Sequence, residues 1–212
     1  MEPEQATPRA VPAHELRIVG GNAALDLCNS RSGPHDGGTD IDSLTEAVHI
    51  VPWAVHAGVI SAGEADELGR GGASSSDADA TDLDALVRLR EQAHAVFAAL
   101  AAGADPDPEA MDELRRAETD AAGRARQVRV EDHYEYSWPA SSRAVVRDRV
   151  AHAAAELLRD GPLSRVKQCA GCSFLFLDES KNGSRRWCSM EDCGREAKMR
   201  LYVERRRARS AA

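Results

Sequence analysis

Cys169-x2-Cys172, fifteen residues, and then Cys188-x4-Cys193 confine what the C-terminal end of this chain can become, because four of its five cysteines fall in that one segment. A C-x2-C pair in a tight turn aims two sulfurs at one point, and a second pair completes a tetrahedron around Zn2+ at about 2.3 Å per bond. The rivals are accidental buried thiols and a redox pair. A redox C-x-x-C should open a helix after a strand in a βαβ unit, and no such unit surrounds Cys169. Four thiolates also leave no open coordination position, so the spacing predicts one structural Zn2+ on Cys169, Cys172, Cys188 and Cys193.

Between the pairs, "SFLFLD" reads as a strand and "SRRWC" as its return, joined by "ESKNGS" with Asn182-Gly183 at the tip. Ser189 is an N-cap with Asp192 three residues on, which puts Cys193 in the first turn of a helix. Knuckle, hairpin and helix make a treble-clef-like unit. Its core is small (Phe174, Phe176, Trp187 and Leu201), so zinc binding of about 10–16 kcal/mol would supply most of its folding energy. Loss of any one ligand is expected to unfold the finger and spare the rest. Cys28 stands alone and reads as a small buried hydrophobe.

The rest of the chain reads as α+β, mostly α. Aromatics are 4% and alanine does much of the apolar work, which favours close-packed helices. Residues 1–14 read as a flexible arm, 15–162 as a helical domain and 163–212 as the finger with a basic C-terminal helix. In the domain, "AALDLCN" has helical spacing, and Pro52 is expected to break one helix and open another that ends near Gly58. "GGASSSDADA" reads as a linker. After it, Leu83, Leu86, Leu89 or Arg90, Ala93, Phe97 and Leu100 mark a helix capped by Thr81 or Asp82 and stopped by Gly103. "DPDPEAMDELRRAETDAAG" is a capped helix, "RARQVRVEDHYEYSW" alternates as a β-hairpin, and the segment from Val146 to Leu158 is helical again.

Charge divides the chain unevenly. Residues 165–212 carry twelve Lys and Arg against six acids, a net +6, which leaves −14 on residues 1–164 of a chain whose total is −8. A basic module beside an acidic body fits contact with a polyanion. Lys181, Arg185 and Arg186 on the hairpin, and Arg195, Lys198, Arg205, Arg206, Arg207 and Arg209 on the helix, are the residues that would follow a phosphate backbone. DNA is therefore the expected partner. A protein-docking finger without DNA binding is the alternative, and the acidic body itself is one candidate surface for it.

An enzyme is not expected. His14, His35, His49, His56, His94, His133 and His152 are scattered, and no Ser/His/Asp motif, phosphate-cradling glycine loop or H-E-x-x-H appears. For an effector pocket the candidates are Asp26, Asn29, Trp53, Tyr134, Tyr136 and Trp138, although core packing is the default role of such aromatics. No apolar run approaches the ~20 residues of a membrane span. The start has early acids and no apolar core, unlike a signal peptide. Clustered reduced cysteines indicate the cytoplasm. A homodimer is compatible with a helical body carrying an apolar hairpin.

The segment 165–207, with "LFLDESKNGSRRWCSMEDCG" at its centre, resembles the CGNR zinc-finger family. "GGNAALDLCNS" and "AHAAAELL" resemble the start and last helix of the ABATE domain that precedes that finger. The resemblance implies a stress-related transcriptional regulator, with an N-terminal domain that senses a ligand and a C-terminal finger that binds DNA. The chain departs from the family pattern at Arg195-Glu196, where the family has Asn-Arg after Cys-Gly.

Overall fold

In the computed structural model, residues 11–33, 41–70 and 76–210 are described. Helix α1 (Ala23–Cys28) opens at Asn22, whose side chain accepts from the Ala24 N–H at 2.9 Å. Five of its six residues are buried, so this short helix is a plug in the core rather than a surface element. Strands β1 (Arg31–Ser32) and β2 (Ile41–Asp42) pair antiparallel behind it. Helix α2 (Ile50–His56) follows a 3-10 turn, with Pro52 in its first turn, where the missing N–H loses no helical bond. The chain leaves α2 through Gly58 at φ +70° and enters α3 (Ala62–Arg70).

Of three long helices, α4 (Ser76–Ala101) and α6 (Ala144–Asp160) pack on α1, and α5 (Pro108–Arg124) packs on α4 and α6. Helix α4 buries Leu86, Leu89, Ala93, Val96 and Phe97 at three- and four-residue steps, and α6 buries Val146, Val150, Ala154 and Leu157. Asp107 caps α5 by accepting from Glu109 N–H at 2.9 Å, with Pro108 at the first position. Arg90 is buried beside Leu89 because Asp42 on β2 receives it bidentately at 2.8 and 2.6 Å.

Two boundaries differ from the sequence reading. Helix α4 begins at Ser76, inside the expected linker, so neither Thr81 nor Asp82 is its cap. Acids in the first turn favour the positive end of the helix, and Asp79 is pinned by Arg143, the residue that precedes α6. Residues 71–75 lie outside the described residues. The arm also ends sooner: Ala13 is buried against α2, while residues 1–10 lie outside the described residues.

Strands β3 (Arg126–Val130) and β4 (His133–Ser137) form the expected hairpin, with Val128 opposite Glu135 and Glu131 at φ +52° in its two-residue turn. The hairpin projects, however, and Val128, Val130, Tyr134 and Tyr136 are all exposed. It is anchored through Trp138, whose indole donates to Ala121 O at 2.7 Å.

Arg149 on α6 ties three elements together. It donates to Val59 O and Trp138 O at 2.9 Å each, and to Glu64 on α3 at 3.1 Å. The Arg149 guanidinium holds the Glu64 carboxyl down at about 2, from the ordinary 4.5. A depressed carboxylate stabilises the fold above its unfolded pKa, and that contribution is lost as pH falls from about 4.5 toward 2. Glu64→Gln is expected to cost about 1 kcal/mol near neutral pH, because solvent screens part of the pair. The difference from wild type should vanish near pH 2, read by urea unfolding across the range.

Strands β5 (Val166–Gln168) and β6 (Leu175–Leu177) pair antiparallel, and α7 (Cys193–Ser210) closes the chain. Val166 and Leu175 belong to the same buried cluster as α1, α4 and α6. The finger is therefore welded to the helical domain rather than tethered to it. Among the described residues no helix is long and apolar enough to cross a membrane.

Candidate metal centre and nucleic-acid interface

The short β5–β6 hairpin carries Cys169 and Cys172 on its connecting knuckle, and the Cys169 N–H donates to Phe174 O at 2.8 Å to close it. The second pair comes from the turn before α7 and from its first residue, Cys193. The Cys172 and Cys188 sulfurs lie 3.7 Å apart, as do those of Cys188 and Cys193, and all four sulfurs lie within 4.8 Å of one another. A tetrahedron with 2.3 Å metal bonds has edges of about 3.8 Å. The spacing suits a metal and is far too long for a disulfide at about 2.05 Å.

The surroundings suit thiolates. Cys188 N–H and Gly171 N–H donate to the Cys169 sulfur at 3.2 and 3.4 Å. The Cys172 and Cys188 thiols, through their hydrogen bonds, pull the Cys169 thiol far down, and the same contact pushes Cys172 up. Phe176 is fully buried under the centre, with Val19, Phe174 and Trp187 packed around it. Leu201, expected in this core, is 50% exposed because α7 has already left the finger at that point.

The expected strand pairing is corrected here. β6 pairs with the segment before the knuckle, and "SRRWC" is irregular, joined to the knuckle by a bond from Ala170 N–H to Arg186 O at 2.9 Å. Asp178, buried at the end of β6, organises the return. It accepts from Lys167 Nζ at 2.6 Å, from the Ser180 N–H at 3.0 Å and hydroxyl at 2.5 Å, and from the Arg185 N–H at 3.0 Å. Burial works against its charge, but these four donors together hold the carboxyl well below the usual range.

That geometry redistributes the expected basic face. Arg185 turns inward: its guanidinium lies 4.1 Å over the Phe176 ring and donates to Cys188 O at 2.6 Å, Trp187 O at 3.1 Å and Val19 O at 3.3 Å. It is a scaffold residue rather than an open phosphate contact. Lys181 and Arg186 are exposed, the latter over Trp187 at 5.5 Å. Every residue of α7 from Lys198 to Arg209 is exposed. At 100° per residue, Arg195, Lys198, Arg205, Arg206 and Arg209 share one face with Tyr202 at its middle. Glu196 and Glu204 fall outside that face, and so does Arg207.

The six candidate effector residues do not converge on one pocket, and of the aromatics Tyr136 and Trp138 meet. Asp26 accepts from Gly20 N–H at 2.7 Å and Val19 N–H at 3.0 Å, and burial pushes its carboxyl up against those bonds. Asn29 donates to Leu175 O at 2.9 Å and accepts from Leu175 N–H at 2.8 Å, latching β6 to the end of α1. Trp53 is fully buried in the core, Trp138 packs at a tilt against Tyr136 and His152, and Tyr134 is 65% exposed. A seam cavity of about 210 Å3 is lined instead by Cys28, Arg31, Arg90, Glu91, His94 and Ser173. Sequence reasoning also missed Arg17, which reaches Glu191 and Asp192 at 2.9 Å each and straps the N-terminal segment to the start of α7. Its signal, a lone Arg before "IVGG", is not distinguishable from a solvated charge.

Residues 165–206 match the family model of the CGNR zinc finger. Residues 21–161 match that of the ABATE domain, described as a "putative stress-induced transcription regulator". The chain belongs to the ABATE family. Its four clustered sulfurs, within a CGNR finger, are the ligands of one structural zinc ion. The ABATE domain and the finger meet along the Asn29–Leu175 latch and the shared core around Val166. No curated protein matches this ABATE chain.

Proposed function

We propose that this protein is a DNA-binding transcription regulator of the cytoplasm, acting by binding rather than catalysis and controlled by a small molecule held in its helical domain. The observation that carries the reading is the exposed face of α7, where five cations flank Tyr202 with both acids of the helix turned elsewhere. A helix of this kind is matched to a polyanion: the cations take phosphates and the tyrosine stacks or wedges at the surface. Family membership supports a regulatory role.

The test is binding of the zinc-loaded protein to mixed-sequence duplex DNA across a salt series. Replacing Lys198, Arg205 and Arg209 by alanine should flatten the logarithmic salt slope by about 0.9 per lost contact, close to three units in all. Arg207→Ala, on the other face, should leave the slope near wild type. Absence of binding at low salt would overturn the reading and favour a protein partner, for which the exposed Met199 and Val203, four residues apart, offer an apolar strip on α7.

A further inference from the structure

Among the described residues, strands β3 and β4 pair only with each other, so their hairpin has two open outer edges. Each strand is five residues long, and a lone two-stranded hairpin is marginal in water. An open edge is also a template for a further strand unless charge or proline blunts it. The two edges differ in this respect. β3 carries Arg126 and Arg129, whereas β4, from His133 to Ser137, has no lysine, arginine or proline. Tyr134 and Tyr136 are exposed on one face of β4, His133 and Glu135 on the other.

The two-residue turn fixes which backbone groups point outward. Val130 and His133 flank it and exchange both ladder bonds, as do Val128 and Glu135 one step further on. The N–H and C=O of Tyr134 and Tyr136 therefore point away from β3, to the open edge. A second β4 laid antiparallel, with Tyr134 opposite the partner's Tyr134, uses those groups. In the same register His133 stands opposite the partner's Glu135, in the kind of pair whose side chains approach most closely. Opposite charges then meet twice about one two-fold axis. Glu135, at 2.8 Å, and then Asp132 hold the His133 imidazole above its ordinary pKa of 6.5, which favours its cationic form. A β3-to-β3 pairing offers no such match, because the charges of β3 are all positive. A β4-to-β3 pairing matches charge but is heterologous, and it leads to open chains rather than a closed pair.

We infer that β4 is a self-association edge, on which a second copy of this chain adds its own β4 to make one four-stranded sheet, Tyr134 against the partner's Tyr134 and His133 against the partner's Glu135. The inference goes beyond the DNA-binding reading and does not depend on it. Strands this short place the contact at the low end of specific interfaces, so the pair is weak and dissociates at micromolar concentration.

The test is sedimentation velocity of the full-length, zinc-loaded protein without DNA, from about 1 μM to 1 mM at about pH 6.5. The chain should pass from monomer to dimer and stop there. His133→Glu and Glu135→Lys, each alone, should weaken the dimer about tenfold or more, because each replaces two matched pairs by like charges. Both side chains are exposed, so neither substitution disturbs the core. An equimolar mixture of the two variants should regain the dimer, since each then meets its opposite charge on the other. A chain that stays monomeric throughout would overturn the inference and leave the edge to an extended peptide of another protein. Growth beyond a dimer, a dimer untouched by either substitution, or no recovery on mixing would overturn it as well.

Discussion

Chelating the zinc is expected to lower the stability of the whole chain, not of the finger alone. The sequence reading expected the helical domain to survive intact, but Val166 and Leu175 lie in its core and Leu175 is hydrogen-bonded on both sides by Asn29. Zinc supplies about 10–16 kcal/mol to a finger of this size, so without it β5 and β6 have little reason to stay formed. Burial of Val166 and Leu175 is worth about 1.5–3 kcal/mol each, and the helical domain would lose both. Against a total stability of about 5–15 kcal/mol this is a large fraction. The measurement is amide hydrogen exchange along α1 and α4, with and without chelator. Protection should fall sharply in both helices, and Cys172→Ser should reproduce the loss. Unchanged protection in α1 would show that the two halves fold independently.

Asn29→Ala should be nearly as damaging, at about 2–5 kcal/mol, because it strands the N–H and the C=O of Leu175 in a buried place. The substitution removes no metal ligand. Its effect should appear both as a lower urea midpoint and as weaker zinc retention in competition with a chelator. In chelated protein, where β6 is already released, the same substitution should cost far less. That non-additivity is the signature of a latch. A cost that is the same with and without zinc would confine Asn29 to the local structure of α1.

The zinc ligands were legible in the sequence because coordination chemistry fixes residue type and local spacing together. The same holds for α5, whose cap, first-position proline and periodicity sit within a few residues of one another, and for the β3–β4 hairpin with its two-residue turn. What escaped is what depends on a distant partner. The start of α4 extends into a glycine- and serine-rich stretch, and the Asp79–Arg143 contact that helps hold its first turns crosses to the residue that precedes α6. Arg185 looks identical to Arg186 in the sequence, yet one caps carbonyl oxygens around the cysteines and the other faces solvent. Asn29 stood out as polar in an apolar stretch, but its partner is Leu175, and no local pattern announces that pairing.

Among the described residues, helix α7 is anchored at its first turn, where Cys193 is a zinc ligand and Arg17 straps the preceding residues. Its 18 residues extend for about 27 Å. A tilt of 10° at the cysteines would sweep the far end through almost 5 Å, more than the roughly 3.4 Å that separates neighbouring base pairs. The helix is thus a lever with its fulcrum at the sulfurs. On the proposed DNA-binding reading, which step of a duplex Arg205 and Arg209 address would be set less by their own side chains than by the stiffness of four metal–sulfur bonds at the opposite end.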